Sequence, residues 1–132
     1  MRMAALALAA AALLGAAGCA SVATGTRLND MGLTDGPAQP IAHVNGDCWG
    51  IYLFYTVPLL TGDTNRGDGG FAAMTVFSDT CRVEPVVEMV TRVAKTRGAT
   101  KVTDLQSSRS GFPIIFPFIW YKEVQVSGNA VK

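Results

Sequence analysis

The fold is decided by residues 82–106, RVEPVVEMVTRVAKTRGATKVTDLQ. Val83, Val86, Val87, Val90, Val93 and Ala94 recur at three- and four-residue spacing, which puts them on one face of a helix running from about Arg82 to Arg97. Glu84, Glu88, Thr91, Arg92 and Lys95 fall on the other face, and Glu88 and Arg92 stand as an i,i+4 pair. Pro85 suits the first turn, where its missing N–H breaks no hydrogen bond, and Gly98 is placed to end the helix. The valines are poor helix formers on their own, so packing against a sheet must hold this segment in place. Thr100–Gln106 follows at once and reads as a strand.

Working outward, Ile41–Val44 and Cys48–Val57 (CWGIYLFYTV) read as strands, with Gly50 at a bulge or close backbone approach. Thr61–Gly70 reads as an exposed loop, Phe71–Phe77 as a short strand and Ser107–Gly111 as a polar turn. Trp120–Ser127 reads as a closing strand with Val124 and Val126 on one face. The order strand, helix, strand, strand predicts an α+β fold. It is a two-layer sandwich with one amphipathic helix on a small mixed sheet, a β-α-β-β core whose crossover makes its two strands parallel. Residues 20–40 carry Gly25, Gly32, Gly36, Pro37 and Pro40 without an apolar period and read as a flexible tether. The division is therefore 1–18, 19–40 and a single domain over 41–132.

Composition excludes several functions. The 11 basic and 10 acidic side chains nearly cancel, and without Arg2 they balance. No nucleic-acid partner is expected, because that binding needs an excess of Lys and Arg. The single histidine, His43, excludes a two-histidine metal site within the chain. Ser107, Ser108 and Ser110 lack a Gly-x-Ser-x-Gly frame and lie far from His43, so no catalytic residue is assigned and no enzyme or cofactor is expected. Asp63, Asn65 and Asp68, among Gly67, Gly69 and Gly70, could wrap a hard cation. The loop lacks the bidentate Glu of an EF-hand, and the alternative is a solvated polar loop. Asp104 is placed to pair with Lys101 or Lys122.

The most hydrophobic stretch after the first 18 residues is Phe112–Tyr121, FPIIFPFIWY. Pro113 and Pro117 bar a regular helix or a central strand across it. Ile114, Ile115, Phe116 and Phe118 then form either a small second core or an apolar contact surface for lipid or a protein partner.

The amino-terminal segment reads as an address. Met1-Arg2-Met3 precedes an unbroken run of Ala, Leu and Gly from Ala4 to Ala17. As a helix that run would span roughly 21 Å at ~1.5 Å per residue, too short for a ~30 Å hydrocarbon core but ordinary for a secretory signal. Leu14-Gly15-Ala16-Ala17-Gly18-Cys19 resembles the lipobox of bacterial lipoproteins, with Ala16 where Leu is usual. The resemblance implies cleavage after residue 18 and acylation of Cys19, hence a membrane partner through a lipid anchor. Without an Asp after the cysteine, it implies an outer-membrane address facing the periplasm. Of the three cysteines, Cys48 and Cys81 then remain in an exported domain, where oxidation is the default. A Cys48–Cys81 disulfide is expected, the alternative being two separate buried thiols.

Leu60-Thr61-Gly62-Asp63, Arg97-Gly98-Ala99-Thr100-Lys101-Val102 and Val124–Val131 together resemble the small TRL-like bacterial lipoproteins and, more distantly, the YbjQ and RcsF group of strand-helix-strand envelope domains. These families share no catalytic residues, and the four-cysteine pattern of the RcsF type is lacking. The resemblance implies a lipid-anchored structural or binding module of the cell envelope, with a possible protein partner there. The alternative is a small-ligand or metal-ion-binding lipoprotein using the Asp63 loop.

Overall fold

The computed structural model describes residues 20–26, 37–66 and 74–132. The signal segment, Cys19, most of the tether and Asp68 lie outside the described residues. The elements are β1 (Ala20–Gly25), β2 (Pro40–Leu53), β3 (Val57–Gly62), a 3₁₀ turn (Thr64–Arg66), β4 (Met74–Val76), α1 (Val83–Thr96), β5 (Lys101–Ile115) and β6 (Ile119–Val131). Among the described residues, one α-helix and a six-stranded sheet make a mixed fold in which the sheet dominates.

The expected mixed sheet is corrected: every ladder is antiparallel, in the order β4-β3-β2-β6-β5, with β1 also on β2. β2 and β5 do run in the same direction, as a strand-helix-strand crossover requires. They are not neighbours, because β6 inserts between them and pairs with both. The two strands read separately at 41–44 and 48–57 are one strand, and its turn comes at Leu53 rather than at Pro58. Ser107–Gly111 lies inside β5, not in a turn, while Thr61 and Gly62 end β3 as buried residues.

The stretch read as tether also contains structure. β1 pairs with β2 from Ala20 opposite Cys48 to Gly25 opposite His43, on the edge that β3 occupies further along. Its small side chains carry no periodic apolar signal. What orders it is the free edge of β2, helped by the Ser21 hydroxyl donating to Asp47.

Alternation along β2 sends Ala42, Val44, Gly46, Cys48, Gly50 and Tyr52 to one buried face. Together with Val124, Val126 and Ala130 of β6, that face receives Val86, Met89, Val90 and Ala94 of α1. Each buried Val or Met side chain contributes about 1.5–3 kcal/mol on burial. The buried stripe includes Met89, and Val93 is only half-buried. The helix ends as expected: Gly98 has φ 85°, Ala99 N–H donates to Ala94 O, and Gly98 N–H donates to Lys95 O, a Schellman arrangement. Arg92 does not pair with Glu88; its guanidinium donates to the Asn65 carbonyl and ties α1 to the 3₁₀ turn. The Cys48–Cys81 disulfide, with Cα atoms 5.3 Å apart, fastens the start of the helix to the middle of β2. Beside it, the hydroxyls of Thr61, Thr75 and Thr80 bond one another and the Ser78 and Gly62 carbonyls, holding β4 and the approach to α1.

Candidate functional site

Two hairpin turns meet at one end of the sheet. The β2–β3 turn contributes Phe54 and Tyr55, and the β5–β6 turn contributes Phe116, Pro117 and Phe118. Phe54 N–H donates to Phe118 O at 2.7 Å, joining the two turns. Phe54 packs edge-on to Phe118, and Tyr55 and Phe116 both pack edge-on to Trp120. The Trp120 indole N–H donates to Pro117 O, and the Phe116–Pro117 peptide is cis. Despite these contacts the tip is open to solvent. Phe116 is 74 % exposed, Ile115 58 % and Phe54 53 %, with Ile114 and Phe118 near half. The second-core alternative for residues 112–118 is thereby excluded. The prolines act as expected on strand regularity: Phe112–Ile115 forms the outer end of edge strand β5, not a central strand, its register with β6 shifts between Pro113 and Ile115, and Pro117 lies in the turn.

Phe54 (φ 49°) and Tyr55 (φ 68°) both adopt the left-handed backbone region, and Thr56 N–H donates to Leu53 O. That is a β-turn with the positive φ values of type I′, set in a three-residue loop between the paired Leu53 and Val57, and such positions favour Asn and Gly. Bulky side chains there are strained by roughly 1–2 kcal/mol per residue. The turn thus keeps two aromatic rings where stability alone would select small polar residues.

Behind the tip, on the helix side of the sheet, lies a cavity of about 320 Å³ lined by Tyr52, Tyr55, Asp79, Arg82, Arg109 and Lys122 among others. Lys122 Nζ sits 4.3 Å from the centres of both the Tyr52 and Tyr55 rings. Tyr52 donates to Asp79 Oδ1 at 2.7 Å. Burial first, and then the Asp79 carboxylate, hold that phenol protonated far above its ordinary range. The Glu123 carboxylate turns to the opposite face, accepting from Tyr121 and Gln125. Three cations and one carboxylate therefore surround the cavity. Among the described residues, Arg82, Arg109 and Lys122 form no ion pair. The sequence reading missed this set. Its members come from three strands, the β2–β3 turn and the loop before α1, and the aromatic and β-branched run Cys48–Val57 reads as strand throughout, which hides the turn at Phe54 and Tyr55.

The other candidates do not converge. Asp63 Oδ1 accepts the Asn65 N–H in a local turn, Asp68 lies outside the described residues, and no group of three metal-ligating side chains occurs among the described residues. Asp104 sits at φ 53° in a β5 bulge and accepts from Asn129 rather than from Lys101 or Lys122. Asn129 Oδ1 also contacts His43 Nδ1, so the imidazole is engaged on the face away from α1. Ser107, Ser108 and Ser110 run along β5, opposite Val126, Gln125 and Glu123 on β6, whereas His43 lies opposite Asn129. Among the described residues, no helix is long and apolar enough to cross a membrane. No family model, no curated protein and no solved structure matches the chain.

Proposed function

We propose that the chain is a lipid-anchored lipoprotein of the bacterial cell envelope, of the small TRL-like kind, acting as a structural or binding module rather than as an enzyme. The observation that carries this reading is the cysteine at position 19, placed directly after a short Ala/Leu run and a small-residue cleavage stretch. The Cys48–Cys81 disulfide supports it, because such bonds persist in oxidising, extracytoplasmic compartments. Acyl chains at Cys19 would hold the domain at the bilayer, since two or more chains anchor stably where one is marginal. With Ala20 after the cysteine, the outer membrane facing the periplasm is the proposed address. Metabolic labelling with a clickable fatty acid tests the reading. Wild type takes up label and Cys19→Ser does not; equal labelling of both overturns it.

A further inference from the structure

We infer that the aromatic tip is a second membrane contact, and that the domain docks tip-first on a bilayer carrying anionic headgroups. The inference rests on the envelope-lipoprotein reading for the membrane it meets. Three observations carry it.

The first is shape. The two joined turns protrude from the end of the sheet and offer Phe54, Ile115, Phe116 and Phe118 outward. A convex tip of aromatic and aliphatic side chains suits insertion into soft interfacial lipid. The strained Phe54–Tyr55 turn marks those rings as retained against local stability.

The second is charge at the right depth. Lys122 pairs with Gly111 three residues along β6 from Ile119, roughly 10 Å behind the last strand pair at ~3.4 Å per residue. Interfacial insertion buries apolar groups about 5–10 Å deep. When the tip is at that depth, Lys122 reaches the headgroup layer, while Arg109, opposite Val124 and roughly 17 Å behind the last strand pair at ~3.4 Å per residue, faces that layer from above with Arg82 across the cavity. These cations have no carboxylate partner among the described residues and can pair with lipid phosphates.

The third is chain direction. β1 runs antiparallel to β2, with Ala20 opposite Cys48 and Gly25 opposite His43. Traced backwards, β1 therefore heads toward Leu53 and the tip, which lies roughly 17 Å further along the sheet at ~3.4 Å per residue. The proposed anchor position immediately precedes Ala20, the end of β1 nearer the tip. Tethering raises the local concentration of membrane, so even weak insertion is enough to orient the domain.

The test uses the full chain carrying Trp49→Phe, which leaves Trp120 as the only tryptophan. It is purified from membranes and reconstituted into vesicles containing acyl-chain-brominated phosphatidylcholine, with or without phosphatidylglycerol. Docking predicts that Trp120 fluorescence is quenched, and more strongly with phosphatidylglycerol. Adding Phe54→Asn with Tyr55→Gly keeps a favourable turn, so the domain stays folded and the quenching is lost. Adding Arg109→Ala with Lys122→Ala removes the dependence on phosphatidylglycerol. A fatty-acid-labelled protein whose Trp120 is not quenched overturns tip docking and leaves the lipoprotein reading intact. An unlabelled protein overturns the lipoprotein reading; quenching on added vesicles then decides the tip independently. If the tip is unquenched and the turn variant instead abolishes self-association in sedimentation, the occupant is a second copy and the inference is wrong.

Discussion

Gly46 of β2 and Val90 of α1 are in direct apposition: a Cβ at position 46 would overlap Val90 Cγ2 and press on Met89. The helix therefore lies as close to the sheet as a missing side chain allows. Gly46→Ala should cost about 1–3 kcal/mol, because the core has no room for another methyl group. Val90→Ala removes the obstruction, so the double variant should lose less stability than the two single losses added together. Denaturant unfolding of the four proteins in the cycle measures this.

Removing the disulfide with Cys48→Ala and Cys81→Ala should lower stability by about 2–5 kcal/mol. The residues are 33 apart in sequence. In the chain-entropy account, closing a loop of that size contributes ~3.7 kcal/mol, an upper estimate. Alkylation of the denatured, unreduced protein followed by mass spectrometry should find no label at either cysteine. Quantitative labelling of both would contradict the bond.

Tyr52 makes stability fall at high pH. Its phenol ordinarily ionises near 10.0, and burial together with Asp79 raises that value in the folded state. Below pH 10 both folded and unfolded chains hold the proton, and the contribution is complete. As pH rises further, the unfolded phenol ionises while the folded one does not, so unfolding is favoured progressively. In an absorbance titration, one of the three tyrosines should yield phenolate only as the protein unfolds. Tyr52→Phe should abolish that late step and cost about 1 kcal/mol at neutral pH for the lost hydrogen bond.

The tip turn sets local stability against its aromatic side chains. Phe54→Asn with Tyr55→Gly relieves roughly 1–2 kcal/mol of left-handed strain per residue. It forfeits edge-on contacts to Phe118 and Trp120 worth about 0.5–1.5 kcal/mol each. The melting temperature of the variant should equal or exceed that of wild type. A large drop would show that the rings hold the two hairpins together instead of being presented outward.

Much of this could be read from one line of residues. The 3.6-residue period at 83–94 and the terminal Gly98 determined the helix and its end, because both are local in the chain. With Cys19 set aside by its resemblance to a lipobox cysteine, redox chemistry makes Cys48 and Cys81 the expected pair, and their 5.3 Å Cα separation decides against two separate thiols. The concentration of Phe and Ile at 112–119, broken by two prolines, identified an unusual apolar stretch but left core and surface equally open.

Tertiary structure decided what depended on partners distant in sequence. The antiparallel β5–β6 hairpin follows from their adjacency in the chain, but that β6 also pairs with β2 and so separates β5 from it depends on segments remote in sequence, and this makes every described ladder antiparallel. β1 exists because an edge of β2 is free, not because ASVATG demands a strand. Phe54 and Tyr55 meet Phe118 and Trp120, and Lys122 meets Tyr52, across the register of three strands. Local sequence determines which backbone conformation a segment can adopt. Hydrogen-bond registry between remote segments determines which side chains share a face, and here that registry assembled the aromatic tip and the cations behind it.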